Sequence, residues 1–98
     1  MSSNQGFFKT MAEIKEANRV VGNWFSRGTM GFFNCRIVSR RPIHFRFFIT
    51  SERYDTEPAR YTIREARADG SIGTIGEFQE YGSRESALRG LKEYYASL

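Results

Sequence analysis

A run of alternating residues near the middle of the chain most limits the folds that it can adopt. The apolar positions of this run share one parity and are Ile43, Phe45, Phe47 and Ile49. The intervening positions are His44, Arg46, Phe48 and Thr50. Because successive side chains of a β-strand point to opposite faces, this period of two predicts a strand with one buried face.

Three further segments alternate in the same way and predict a sheet of four strands. These segments are residues 35–40, 61–64 and 72–78. Pro42 separates the first strand from the second, since proline lacks the N–H group that a strand ladder needs. Asp69-Gly70 is typical of a two-residue hairpin turn and joins the last two strands. Such short connections predict antiparallel neighbours in chain order, which is a meander.

Helical periodicity marks both ends of the chain. Thr10 and Glu13 form a capping box, and apolar residues then recur every three or four positions. We expect a helix over residues 10–21 that stops at Gly22 in the left-handed conformation. Ser83 caps a second predicted helix. The buried stripe of that helix consists of Ala87, Leu88, Leu91, Tyr94 and Tyr95.

Together these patterns predict a single α+β domain over residues 1–98. A four-stranded antiparallel meander carries the N-terminal and C-terminal helices, and we expect both to pack on one face of the sheet. Residues 1–6 are polar and are predicted to be a disordered tail. Trp24 and Phe25, next to small turn-forming residues, are typical of an aromatic anchor in the core.

The composition favours binding over catalysis. The chain has 98 residues and a net charge of +4, and its 15 cationic side chains are 12 Arg and three Lys. Arginine makes planar, bidentate contacts to phosphate and carboxylate groups, although the codon preference of a GC-rich genome is an alternative explanation. With one cysteine, no signal peptide and no long apolar run, we expect a cytoplasmic protein that does not contact membranes.

The residues that metal binding or catalysis would need are too few to form a site. Cys35 and His44 are the only Cys and His, whereas a structural zinc site takes four such ligands. We expect Cys35 to be a small buried hydrophobe rather than a nucleophile. Gly70, Gly73 and Gly76 follow a hairpin turn, so they predict close packing of a helix and not a nucleotide-binding loop. We therefore expect no enzyme, no metal and no cofactor.

A set of strand residues forms the candidate partner-binding site. Its members are Arg36, Arg40, Arg41, Arg46, Phe48, Arg64 and Arg67. Arg36, Arg46 and Arg64 alternate with core positions, so we expect them to share the sheet face opposite the helices. There they would contact phosphates or an acidic protein surface, while Phe48 would stack on a base. The alternative is structural, with these arginines paired across the strands to Glu65, Glu77 and Glu80.

Four motifs carry a family resemblance that covers about residues 10–95. They are Trp24-Phe25-Ser26-x-x-Thr29-Met30-x-Phe32-Phe33-x-x-Arg36-Ile37, Phe48-Ile49-Thr50-Ser51-Glu52, Arg60-Tyr61-Thr62-Ile63-Arg64 and Gly76-Glu77-Phe78-Gln79. In these motifs the chain resembles short proteins of bacteriophages, prophages and other mobile elements. The resemblance implies a phage accessory protein that binds a host machine, as inhibitors of host defence such as anti-CRISPR proteins do.

Two functions of different classes remain open at this point. In the first, a non-enzymatic phage-type protein binds a host protein or ribonucleoprotein complex in the host cytoplasm and blocks or redirects it. A CRISPR effector is one candidate target. In the second, a small basic protein binds nucleic acid through its phosphates. The positive net charge disfavours inhibition by mimicry of nucleic acid, and a homodimer closed by an exposed strand face also remains open.

Overall fold

An antiparallel sheet of four strands organises the computed structural model, which describes residues 7–32, 34–54 and 56–98. The strands are β1 (Arg36–Ile37), β2 (Phe47–Glu52), β3 (Arg60–Ala66) and β4 (Ile72–Ile75). Each strand pairs with the next in the chain, so the sheet order is β1-β2-β3-β4. The predicted α+β fold with a four-stranded meander is confirmed. The predicted tail at residues 1–6, and Phe33 of the first motif, lie outside the described residues.

Three helices accompany the sheet: α1 (Met11–Val21), α2 (Arg27–Phe32) and α3 (Arg84–Ala96). Thr10 caps α1 as predicted, because its side chain accepts a hydrogen bond of 3.1 Å from the backbone N–H of Glu13. Ser83 caps α3 in the same way through the N–H of Ser86. None of the helices in the described parts of the chain has the length and hydrophobicity to cross a bilayer.

The two faces of the sheet bury two separate hydrophobic clusters, one beneath each long helix. On one face, Phe48 and Ala66 pack with Met11 and Ile14 of α1. The cluster on the other face joins the strands to α3 and contains Phe47, Ile49, Ile63, Ala87 and Leu91. Since neighbouring strand residues point to opposite faces, α1 and α3 lie on opposite sides of the sheet. The expectation that both helices share one face is wrong, because β2 is apolar on both faces and both need cover.

The alternating run that predicted the central strand contains a tight turn. His44 and Phe45 have φ angles of 52° and 66°, which reverse the chain so that β2 starts only at Phe47. The ring of His44 stacks on Tyr95 of α3, with 3.8 Å between the ring centroids. At its other end β2 extends to Glu52, which is buried.

The end of α1 is held by a buried asparagine rather than by a left-handed glycine. Gly22 has a φ of −179°, which is extended backbone, so the predicted left-handed stop is wrong. The side chain of Asn18 accepts a 2.9 Å hydrogen bond from the backbone N–H of Trp24. It also donates a 3.0 Å bond to the carbonyl of Gly70. This single amide joins α1, the segment that carries Trp24 and the β3–β4 turn.

The β3–β4 hairpin brings α1 against the sheet. Its loop has three residues, 68–70, instead of the two predicted, because the backbone N–H of Arg67 reaches the carbonyl of Ser71 at 2.8 Å. Gly70 has a φ of 95°. A Cβ atom at Gly70 would overlap the backbone carbonyl of Ala17 in α1. Glycine at this position therefore permits both the turn and the close helix contact that the sequence predicts.

Replacing Gly70 by alanine should lower the free energy of unfolding by about 2 kcal/mol or more, because the new Cβ meets the α1 backbone and the positive φ is strained. A matched control is Gly31→Ala in α2, where nothing lies within 4 Å of an added Cβ. That change should raise the free energy of unfolding by about 0.5–1 kcal/mol. Urea unfolding measures both values, and equal effects would contradict the packing role of Gly70.

Candidate functional site

Two of the residues proposed to contact a partner lie in the interior. Phe48 is 0% exposed, and its ring centroid lies 5.8 Å from that of Trp24 and 6.0 Å from that of Phe25. Arg64 is 8% exposed. The expected exposure of both residues is wrong, because α1 and the Trp24 segment cover the sheet face that they share.

Two further candidates are held in local contacts. The Nε of Arg46 lies 3.8 Å from a carboxylate oxygen of Glu65, and its guanidinium lies 5.2 Å from the ring centroid of Phe47. Arg67 donates a 3.2 Å hydrogen bond to the hydroxyl of Ser71 within the hairpin. The structural alternative is therefore confirmed for Arg46, which pairs with one of the expected glutamates.

The remaining candidates gather along β1, on the side of the sheet that carries α3. Arg36, Arg40 and Arg41 are exposed there and are joined by Arg53 and Arg84. These five residues are called the arginine edge below. Arg36 and Arg53 line a cavity of about 440 Å³. The other three arginines line a neighbouring cavity of about 390 Å³.

No ion pair joins the arginine edge to a carboxylate within the described ranges 7–32, 34–54 and 56–98. The ion pairs among the described residues involve Arg19, Arg46 and Arg64, so none of the five edge arginines takes part in one. Arg53 donates a 2.9 Å hydrogen bond from Nε to the backbone carbonyl of Glu57. The edge can therefore accept anionic groups from outside.

Sequence reasoning missed Arg53 and Arg84. Arg53 continues the parity of Ser51, so a longer predicted β2 would have placed it beside Arg36, the register partner of Ser51. Arg84 is the first residue of α3 and reaches the edge only because α3 packs on that face. No sequence signal indicates that packing.

A second site lies on the opposite face, at the same end of the sheet. It is a cavity of about 460 Å³, called the aromatic cavity below. Its lining residues are Trp24, Gly28, Thr29, Phe32, Cys35, Glu52, Arg64 and Phe78. The rings belong to the Trp24 turn, α2 and the loop after β4, while the charged side chains rise from β2 and β3.

Glu52 at the base of the aromatic cavity accepts hydrogen bonds from four donors. Thr50, Thr62 and Arg64 donate over 2.5, 2.7 and 2.9 Å, respectively. The thiol of Cys35 lies 3.5 Å from the same carboxylate. Cys35, Thr50 and Arg64 reach the Oε2 atom of Glu52, and Thr62 reaches its Oε1 atom. Glu52 is 1% exposed, and this bonding is what makes its burial tolerable.

Arg64 makes contacts in three directions. Its Nε donates to Thr50 at 3.1 Å, its Nη1 to Thr74 at 2.6 Å and its Nη2 to Glu52 at 2.9 Å. The guanidinium carbon also lies 5.3 Å from the ring centroid of Trp24 and 5.6 Å from that of Phe78. Arg64 thus ties β2, β3 and β4 together and supports two walls of the cavity by cation–π contact.

Cys35 is half-buried in the wall of this cavity, which agrees in part with the buried hydrophobe that the sequence predicts. Burial, and then the neighbouring Glu52 carboxylate, raise the pKa of the Cys35 thiol to about 11. The thiol is protonated at neutral pH as a result, and it is a poor nucleophile there.

One protein family matches the chain over most of its length. The match is to DUF7447, a family of unknown function, and covers residues 10–92. No curated protein and no solved structure matches the chain. The family match therefore supplies no reaction, ligand or site residue.

Alkylation of Cys35 by iodoacetamide should have its pH midpoint near 11 in the folded protein. The same protein unfolded in urea should show a midpoint of about 8.5, the ordinary value for a thiol. Because the folded pKa is raised, the stability that the protonated thiol contributes is present below pH 8.5 and is lost as the pH rises through 11. The difference in unfolding free energy between wild type and Cys35→Ala should follow that course, and a midpoint near 8.5 in the folded protein would contradict it.

Replacing Glu52 by glutamine should lower the free energy of unfolding by about 3–5 kcal/mol, because it leaves Arg64 charged and buried without its partner. The matched control is Glu16→Gln in the exposed pair with Arg19, whose side chains are 72% and 76% exposed. That change should cost less than about 1 kcal/mol.

A double variant, Glu52→Met with Arg64→Met, separates the lost ion pair from lost packing. Removing both charges should leave the protein more stable than Glu52→Gln, because no uncompensated charge is then buried. Chemical denaturation of the three variants tests this, and a double variant that is less stable than the single one would refute the argument.

Proposed function

We propose that this chain, which belongs to the family DUF7447, is a small non-enzymatic, phage-type protein that binds a host macromolecular complex and blocks or redirects it. The proposed place of action is the host cytoplasm, and CRISPR effectors are among the candidate targets. The arginine edge is the proposed contact surface.

The supporting observation is the concentration of five exposed arginines along β1 and its flanks, none of which pairs with a carboxylate among the described residues. An internal role would place a carboxylate beside each of them, as Glu65 lies beside Arg46. Arginine is enriched among the residues that dominate binding energy at protein interfaces, because its planar fork matches a carboxylate. An acidic surface of a host protein complex is therefore the proposed counterpart.

The phosphates of a nucleic acid would complement the same surface, and this is the second candidate. The two candidates differ in how affinity depends on salt. Phosphate contacts release counterions, so the logarithm of the affinity falls with a slope of about −0.9 for each contact on duplex DNA. Contacts to an acidic protein surface, with part of the interface apolar, should respond less steeply.

A triple variant, Arg36→Gln, Arg40→Gln and Arg41→Gln, should reduce capture of the host partner by tenfold or more, since each central arginine contributes about 2 kcal/mol. The charge-matched control replaces Lys9, Arg19 and Arg89 by glutamine, which changes the net charge equally but spares the edge. Pull-down from host lysate with quantitative mass spectrometry, with and without nuclease, measures capture by each protein.

A partner that survives nuclease and is lost only by the edge variant supports the proposal. Recovery of nucleic acid, with protein partners lost on nuclease treatment, would replace it with the second candidate. Equal capture by the edge variant and the charge-matched control would contradict the role of the edge. A wild-type protein that captures only further copies of itself would contradict the host-directed function.

A further inference from the structure

We infer that the aromatic cavity is a binding site for a purine base of the guanine type. The ligand class is a planar, uncharged ring that carries two adjacent hydrogen-bond acceptors. This inference rests on the geometry of the cavity and is independent of the arginine edge and of the proposed host target.

The walls of the cavity suit a flat ring. Trp24, Phe32 and Phe78 line it, and its volume of about 460 Å³ falls within the range of small-molecule sites. Phe32 is 76% exposed and Phe78 39% exposed. The exposure of these apolar rings to water is unfavourable. A base stacked on them would remove that surface from water.

The polar floor offers donors in a fork. A guanidinium carries five N–H groups, and the bonds to Thr50, Thr74 and Glu52 account for one on each nitrogen of Arg64. Within the part of the chain that the structure describes, one N–H is left on each of the two terminal nitrogens. Two neighbouring N–H groups on a rigid plane match a pair of adjacent acceptors. Arg64 lines the cavity and is 8% exposed, and we infer that its remaining N–H groups reach a ligand there.

The charge of the floor excludes other ligand classes. A cationic ligand, which aromatic cages often take, would meet the positive charge of Arg64, and the negative charge of Glu52 is already compensated by Arg64 at 2.9 Å. An anionic ligand on Arg64 would bring a second negative charge close to Glu52, which lies 2.9 Å from Nη2. Like charges in a partly buried site repel strongly. A neutral ligand that presents hydrogen-bond acceptors to Arg64 remains.

Guanine meets this requirement, and adenine does not. The O6 and N7 atoms of guanine are adjacent acceptors, and arginine binds them in a bidentate manner. Adenine presents an amino group in place of O6, so its donor would face a donor of Arg64.

The base has two possible sources, a free nucleoside or an unpaired base in a strand. Cys35 and Glu52 line the aromatic cavity, whereas their neighbours Arg36 and Arg53 line the cavity of about 440 Å³ at the arginine edge, on the opposite face. A single-stranded nucleic acid that passes around this end of the sheet would place its phosphates at the arginine edge and one base in the aromatic cavity. The chemistry of the base is the same in both cases.

The fluorescence of Trp24 reports binding directly, because Trp24 is the only tryptophan and lies in the cavity wall. Titration of the full chain with guanosine and with inosine should give saturable changes of similar affinity, since both carry O6 and N7. Adenosine and 7-deazaguanosine, which each lack one acceptor of the pair, should bind about tenfold or more weakly. Saturable binding with this order supports the inference.

Two protein variants test the site itself. Phe32→Ala, on the exposed surface of α2, should weaken guanosine binding by about tenfold through lost stacking. Val20→Ala, at a position on α1 that is 83% exposed, is the matched control and should bind like wild type. The triple arginine-edge variant should also bind guanosine like wild type, because the nucleoside has no phosphate. Failure of the host-binding proposal would thus leave this result unchanged.

An oligoadenylate that contains one guanine distinguishes the two sources. Binding tighter than that of guanosine, with a steep salt dependence that the triple edge variant abolishes, indicates a base within a strand. Binding no tighter than that of guanosine indicates the free nucleoside. Two results would overturn the inference: equal affinities for all four nucleosides, or no saturable guanosine response at millimolar concentration in a wild-type protein shown to be folded.

Discussion

The buried ion pair between Arg64 and Glu52 determines the arrangement of one whole face of the sheet. Removing two charges from water is costly, and the cost is offset only when every polar atom is bonded in good geometry. Here the bonds come from threonines on β2, β3 and β4, so the pair holds three strands in one register. The same guanidinium supports Trp24 and Phe78, which gives the aromatic cavity its shape.

The end of the sheet near Glu52 presents opposite kinds of chemistry on its two faces. Cys35 and Glu52 point to one face, and Arg36 and Arg53 point to the other, because strand side chains alternate. On the first face a cation is neutralised and buried beneath rings. On the second, the cations are exposed and form no ion pair with any residue that the structure describes. A change of one residue in strand register would exchange these environments, so the threonine network protects both surfaces.

Local signals in the sequence predicted the local structure well. The caps at Thr10 and Ser83 and the order of the meander depend on neighbouring residues and could be predicted. The candidate sites could not be predicted, because the alternation along a strand shows that the two faces of the sheet differ but not which face a helix covers. Arg64 was expected at the surface, and its partner Glu52, 12 positions away, was not among the glutamates considered for pairing.

The prediction of a continuous strand through His44 was wrong for a related reason. Its residues keep the apolar alternation of a strand, and only a positive φ at two non-glycine positions reveals the reversal. Threonines at Thr50, Thr62 and Thr74 were the one available hint of a polar network, since the register aligns them around Arg64. These threonines indicate a polar network only once the pairing of the strands is known.

The position of β1 at the rim of the sheet has a consequence for solubility. The outer edge of an edge strand carries backbone N–H and C=O groups that can pair with a strand of another molecule. Charged side chains oppose such pairing because it would desolvate them. With two residues, β1 is also too short to template a long ladder. The arginines beside β1 therefore oppose aggregation through this edge of the sheet. An anionic partner that neutralises them must itself cover the edge.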